Sequence, residues 1–150
     1  MSLQIREATL RDINAVTVLF DGYRQFYGQP ADISRARDFL AERIANRESL
    51  ILLARGEGDE AALGFTQLYP LFSSVRTVRT WLLNDLFVAS AARRRGVAAA
   101  LINAAVDAAR ARGAASLSLS TALDNAPAQA LYESMGWQRD RQFCEYMLTL

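Results

Sequence analysis

The sequence predicts an α+β fold of mixed α/β character, a single domain over residues 1–150 whose mixed sheet carries helices on both faces. Three observations predict it. Short apolar runs of strand length alternate with segments whose apolar residues recur at helical spacing. The helical segments carry start and stop signals at their ends. No Ser/Gly-rich linker, repeat or low-complexity tract divides the chain, and 150 residues suit one compact core.

The elements follow in order. Residues 2–8 alternate Leu3 and Ile5 with Gln4 and Arg6, an opening strand. Thr9 and Asp12 resemble a capping box with a short acid. The helix behind it sets Ile13, Val16, Phe20, Tyr23 and Tyr27 on one face and stops at Gly28-Gln29-Pro30. A second helix is expected over residues 32–46, with Ala36, Phe39, Leu40 and Ile44 inward. Residues 49–54 form a continuous apolar strand, residues 56–60 a hairpin turn, and residues 62–69 the returning strand. A loop over residues 70–75 precedes a long strand over residues 77–88. The alanine-rich helix over residues 96–112 points Val97, Leu101, Ala104, Ala105 and Ala108 inward and is stopped by Gly113. A short strand over residues 115–121 leads to a helix over residues 126–135, with Pro127 in its first turn and Gly136 past its end. Residues 137–139 and 143–150 read as closing strands. The order is β-α-α-β-β-β-α-β-α-β-β.

Composition narrows the chemistry. The chain has no histidine, which excludes Ser-His-Asp and Cys-His catalysis and any histidine metal site. It has no lysine either, so a Schiff-base mechanism is excluded and every basic residue is arginine, a usage associated with GC-rich bacterial genomes. Acid–base work falls to tyrosine, carboxylate, backbone or water. The single Cys144 forms no internal disulfide, fits a reducing cytoplasm, and is expected to pack as a small apolar side chain. A net charge of +1 supplies no bulk field for nucleic acid or an acidic membrane. No apolar run approaches the ~20 residues of a membrane span, and no secretory signal is expected.

Asn84-Asp85-Leu86-Phe87-Val88 is the most informative stretch. It ends a strand and is followed by Arg93-Arg94-Arg95-Gly96-Val97-Ala98 at the start of a helix. The first amides of a helix lack intrahelical partners, and the helix dipole places partial positive charge there. Gly96 lets backbone approach a bulky phosphate, and the arginines add full charges. The arrangement makes an anion site fit for a diphosphate. It is neither a nucleotide-triphosphate loop nor a dinucleotide fingerprint, because both glycine patterns are missing.

Arg-x-x-Gly-x-Ala after a Leu-Phe-Val strand resembles the acetyl-CoA pyrophosphate loop of the GNAT N-acetyltransferase superfamily. A second motif, Asn125-x-x-Ala128-x-x-Leu131-Tyr132-x-x-x-Gly136-Trp137, is similar to that superfamily's later helix. The resemblance extends over nearly the whole chain, with residues 20–50 matching only in layout. It implies a mostly antiparallel sheet of six to seven strands. The strands carrying Leu86–Val88 and residues 115–121 then splay apart, and the pantetheine arm enters the gap. Acetyl-CoA is the implied co-substrate, and no metal is required. Its binding residues are then Leu86, Phe87 and Val88 along the strand, Arg93, Arg94, Arg95, Gly96, Val97 and Ala98 at the turn, and Asn125. Asn125 is equally explained as a helix cap.

For catalysis the resemblance gives Tyr132 the leaving thiolate, and Asn84 the orientation of a water or of the acceptor. An alkylamine with a pKa of ~10.4 is nearly all protonated at neutral pH, so a base is needed. Polyamine acetyltransferases carry Glu-Asp where this chain has Asn84-Asp85, so Asp85 is the remaining local carboxylate. Regular strand alternation sends Asn84 and Asp85 to opposite faces. The Asn-Asp-Leu-Phe-Val form resembles the subgroup of histone, polyamine and D-amino-acid acetyltransferases. Tyr23, Tyr27 and Asp32, with Phe26, flank the acceptor mouth by the same resemblance, and Ser73 and Ser74 are weaker candidates. Helical spacing equally makes Tyr23 and Tyr27 core residues. The expected function is a cytoplasmic acetyl-CoA-dependent N-acetyltransferase acting on a small-molecule primary amine by direct attack. A protein amine as acceptor, or a non-catalytic acyl-CoA-binding module, are the competing readings. No nucleic-acid or membrane partner is expected, and residues 143–150 are expected to support a homodimer.

Overall fold

The computed structural model of the protein describes residues 3–58 and 61–150. The chain folds as two compact units, Met1–Leu119 and Ser120–Leu150. Ser2 and the Asp59-Glu60 end of the expected hairpin turn lie outside the described residues.

The first unit holds β1 (Leu3–Glu7), α1 (Ile13–Phe26), α2 (Ile33–Ala45), β2 (Leu50–Gly56), β3 (Ala62–Ser73), β4 (Val78–Val88), α3 (Val97–Ala111) and β5 (Leu117–Ser118). The five strands lie in the order β1-β2-β3-β4-β5. β1 through β4 are antiparallel neighbours, and β5 is parallel to β4. The sheet separates two apolar cores. One face packs Leu52, Leu68, Trp81 and Leu83 against Val97, Leu101 and Ala105 of α3. The other packs Ile51, Leu53 and Phe65 against Val16 and Phe20 of α1 and Ala36 and Leu40 of α2. Alternating residues of β2 thus serve both cores, which is why its sequence is apolar without a break.

Local chemistry explains the ends. Thr9 and Asp12 form the expected capping box, on a single 3-10 turn that leads into α1. Asp32 caps α2 by accepting from the Arg35 amide at 3.1 Å. Gly28 and Gly113 follow α1 and α3 with φ of +85° and +77°, the left-handed geometry that glycine adopts without strain.

The first unit differs from expectation in three places. β3 runs on through Pro70 to Ser73, where a loop was expected. β2 pairs with β3 only as far as Leu68, so beyond that point β3 has β4 alone as a described strand neighbour. A proline is tolerated on such an edge, where its missing N–H breaks no second ladder. Phe39, expected inward, is 38 % exposed, and Ile102 of α3 is fully buried though it was not on the predicted face. β5 is confined to two residues of the expected strand.

The second unit contains α4 (Ala126–Ser134), capped by Asn125, whose side chain accepts from the Ala128 amide at 3.2 Å. The strands expected over residues 137–139 and 143–150 do not form among the described residues. Phe143, Tyr146, Met147, Leu148 and Leu150 are exposed, as is Cys144, which was expected to be buried. An alternating apolar pattern states which face a strand would bury, but a strand exists only where a neighbour supplies its ladder. None of the described helices is long and apolar enough to cross a membrane.

Gly64 tests the packing between β3 and β4. A Cβ at this position would lie 2.8 Å from the Phe87 carbonyl oxygen and 3.3 Å from Leu101 Cδ1. The obstacle is backbone and cannot swing away. Gly64→Ala is expected to destabilise the fold by about 1–3 kcal/mol, the usual cost of overpacking, read from the denaturation midpoint. An unchanged midpoint would show that the two strands have slack here.

Candidate active site

β4 does not run straight. Gln67 stands opposite Asp85 and Leu68 opposite Leu83, which makes Asn84 an extra residue on the β4 side. A bulge of this kind reverses the facing of every residue beyond it. Trp81 and Leu83 point into the α3 core, and past the bulge Leu86 and Val88 take that face. Phe87 packs with the core of α1 and α2. Asp85 goes with it and is only 2 % exposed. The expectation that Asn84 and Asp85 point to opposite faces is therefore corrected: Asn84 Nδ2 donates to Asp85 Oδ1 at 2.7 Å. The irregular backbone at the bulge is the reason.

Asp85 sits among donors. Gln67 Nε2 donates to its Oδ2 at 2.6 Å, and Gln67 Oε1 accepts from Ser49 Oγ at 2.8 Å. The hydroxyl of Thr66 donates to the Asp85 carbonyl at 2.7 Å and pins the bulge to β3. Tyr23 of α1 reaches the same spot. Its hydroxyl donates to the Asn84 carbonyl at 3.2 Å and can turn instead to the Asp85 carboxylate beside it. Gly22 makes room for that approach, since a Cβ there would meet the Phe87 ring at 3.2 Å.

Burial pushes the Asp85 carboxyl above its ordinary pKa, against the hydrogen bonds from Asn84, Gln67 and Tyr23, which pull it down. The Tyr69 phenol is pushed up to about 12, by burial first and by the Asp85 charge second. Tyr23 is raised further by the same two causes. A buried carboxyl with a raised pKa, ringed by donors, can take up a proton near working pH more readily than a surface carboxylate.

The far end of β4 leads to the arginine turn. β5 pairs only with Trp81 and Leu82, so among the described residues the β5-side edge of β4 has no strand partner from Leu83 onward. The Ala89 amide bonds back to Leu63 at 2.8 Å, and by alternation Val88 and Leu86 direct their amides and carbonyls to that open edge. Arg93 Nε donates to the Val88 carbonyl at 3.3 Å, and its guanidinium lies 6.0 Å from the Phe87 ring centre. Arg94 and Gly96 both take positive φ, +64° and +76°. Arg94 is held in that geometry although it has a Cβ, a local strain that turns the backbone toward α3. No side chain caps α3, and a Cβ at Gly96 would meet nothing within 4 Å. Uncapped amides over an open glycine turn, flanked by Arg93, Arg94 and Arg95, fit a diphosphate.

The remaining predicted residues fall elsewhere. Tyr27 stacks edge-on against Tyr23, with ring centres 5.1 Å apart, and is mostly exposed. The Asp32 carboxylate is engaged in capping α2, and its amide donates to Asp21 Oδ1 at 3.0 Å. Tyr132 and Asn125 belong to the second unit. There Tyr132 tilts against Trp137 with ring centres 6.2 Å apart, and its carbonyl accepts from the Trp137 amide at 3.0 Å. Ser49, Gln67 and Tyr69 were not anticipated. Gln67 left a signal, because Thr66-Gln67 is a polar pair inside an apolar strand.

The donors to Asp85 set its titration. Removing one of them disfavours the carboxylate and raises the pKa further. A hydrogen bond to a charged group favours the charged form, so Asn84→Ala is expected to raise the Asp85 pKa. Carbon-13 NMR of the carboxyl reads this directly. The folded protein holds this proton more tightly than the unfolded chain does. Its contribution to stability is therefore full below the unfolded pKa and is lost as pH rises through the folded one. A carboxyl that titrates at its ordinary pKa would contradict the burial assigned to it.

Comparisons with known proteins identify the family. The model of the acetyltransferase (GNAT) family matches residues 16–137. The chain is 44% identical over 148 residues to YhfO, an uncharacterized N-acetyltransferase of Bacillus subtilis (strain 168), covering 99% of this chain and 98% of that protein. It is 38% identical over 105 residues to a probable acetyltransferase of Haemophilus influenzae, covering 70% of this chain and 71% of the relative. A crystal structure of a probable acetyltransferase matches with a TM-score of 0.93 at 41% identity, over 98% of this chain and 97% of the other. Through its sheet, its arginine turn and these relatives, the chain belongs to the GNAT family and is an N-acetyltransferase.

Proposed function

We propose that this N-acetyltransferase moves the acetyl group of acetyl-CoA to a primary amine of a small molecule, by direct attack in a ternary complex. The observation that carries the reading is Asp85, a buried carboxyl held by a bulge in the same strand that runs on into the arginine turn. One strand then serves both substrates, which supports in-line positioning as a large part of the rate.

In this reading the amides of Arg95, Gly96, Val97 and Ala98 hold the diphosphate, with the side chains of Arg93 and Arg95 beside it. The Nε hydrogen bond to Val88 fixes where the rest of the Arg93 guanidinium lies. Leu86, Phe87 and Val88 guide the pantetheine arm along the open edge, and the Val88 amide polarises the acyl carbonyl. Acetyl-CoA supplies the activated acyl group as a thioester. Asp85 is the base for the acceptor, and Asn84 orients it by its 2.7 Å hydrogen bond. Tyr132 offers its hydroxyl proton to the departing sulfur, a role that rests on its motif. The acceptor side is walled by Tyr23, Tyr27 and Tyr69, which favours a small molecule with apolar surface over an extended basic peptide.

Two variants test this. Gly96→Asp sets bulk, negative charge and a strained φ against the diphosphate. Calorimetry is expected to show acetyl-CoA binding lost, with the far-ultraviolet spectrum and the melting transition retained. Unchanged affinity would remove the turn from the site. Tyr132→Phe deletes one hydroxyl and keeps the ring. Its kcat is expected to fall by ~10²–10⁴-fold at nearly constant acetyl-CoA affinity, because the lost hydrogen bond strengthens in the transition state. Full activity with chemistry rate-limiting would show that the sulfur leaves without Tyr132.

A further inference from the structure

Asp85 is too deep to meet an acceptor amine. It is 2 % exposed, and donors hold both of its oxygens. Asn84 Nδ2 occupies Oδ1 and Gln67 Nε2 occupies Oδ2. Neither amide can pass a proton on, because an amide nitrogen has no basic lone pair to receive one. Gln67 is also locked from behind by Ser49 and is wholly buried. A base built this way needs an intermediary.

Tyr23 has the properties of one. It is partly exposed, unlike Asp85 and Gln67. Its hydroxyl donates to the Asn84 carbonyl at 3.2 Å, one residue from Asp85, and can turn from it to the Asp85 carboxylate. A phenol has one proton and two lone pairs, so it serves one inward acceptor at a time and still receives a proton from the other side. The groups around the pair are Tyr69 of β3, Tyr27 of α1 and, beyond Tyr69, Arg43 of α2. Burial keeps Tyr69 protonated to about 12, and arginine stays charged throughout, so neither competes for the proton.

We propose that Tyr23 is a catalytic proton relay between the acceptor amine and the buried Asp85. The N–H bond of the ammonium breaks and its electron pair stays on nitrogen. That proton bonds to Tyr23 Oη as the hydroxyl's own proton crosses to the Asp85 carboxylate. The products are a neutral amine, an intact phenol and a neutral carboxyl. One cation and one anion vanish, and Tyr23 is a neutral phenol both before and after. Cancelling charge suits a buried site, where each isolated charge is costly. The inference rests on the acetyltransferase reading and on Asp85 as its base.

The experiment follows CoA release at saturating acetyl-CoA with benzylamine, butylamine and spermidine, and uses whichever amine turns over fastest. Tyr23→Phe, Asp85→Asn and the double variant are compared across pH. Tyr23→Phe is expected to lose ~10²-fold or more in kcat/KM for the amine near neutral pH and to recover as the amine becomes neutral. The double variant is expected to be no worse than Asp85→Asn alone, because both act in one transfer. Wild-type kcat/KM in Tyr23→Phe beside a crippled Asp85→Asn would overturn the relay and leave the base in place. A pH-independent loss that multiplies with that of Asp85→Asn would reduce Tyr23 to a packing residue. Full activity in both single variants would overturn the base reading itself. A proton inventory on the unmodified enzyme needs no variant to fold. Moving two protons together makes the rate curve with deuterium fraction, whereas a straight line would overturn the relay.

Discussion

A carboxylate taken out of water costs several kcal/mol unless donors surround it, and Asp85 meets three. Those three come from different elements: Gln67 from β3, Asn84 from β4 and Tyr23 from α1. They converge only because β4 carries an extra residue opposite the Gln67–Leu68 step. Were Asn84 paired in regular alternation instead, Asp85 would face the α3 core with Leu83, and no donor described around it would be on that side. The Thr66 hydroxyl on the Asp85 carbonyl holds the bulge in place, and Ser49 on Gln67 sets which end of that amide faces the acid. The polar residues inside this otherwise apolar sheet thus form one connected set.

The strand that carries the acid also separates two chemical territories. On the α1 side it presents a buried anion and a group of phenols. At its end it leads to a turn of arginines and uncapped amides. Negative and positive fields lie at successive places along one rigid rail, and in a chain without histidine burial moves an ordinary carboxyl upward. Brevity in β5 matters as much. Two paired residues tie it to β4, and the remaining edge stays open beside the apolar stretch Leu86–Val88.

Much of this was legible in the residues. Caps at Thr9 and Asn125 and terminating glycines at Gly28, Gly113 and Gly136 marked the helices, because those signals act over one turn and do not depend on the rest of the fold. Arg93 to Ala98 marked the turn into α3 for the same reason. The bulge was not legible. Leu83-Asn84-Asp85-Leu86 reads as plain alternation, and only the pairing with Gln67 and Leu68 shows the added residue. Pro70 looked like a strand end, though the reach of β2 decides whether a proline is tolerated there. Residues 143–150 have the pattern of a strand and no described ladder. Each miss concerns a neighbour across space, which a local pattern does not name.

Parity in β4 gives the bulge a meaning for descent as well as for chemistry. Side-chain direction alternates with a period of two, so removing a single residue at Asn84 would restore a straight strand. Asp85 would keep its face, still opposite Gln67, while β3, the arginine turn and the start of α3 kept their sequences. Such a lineage would retain the acid beneath α1 and lose the Asn84 donor that holds one of its oxygens. A gap at this position in a relative's sequence would therefore mark an acid in the same place with one fewer donor, and so a different tendency to hold its proton.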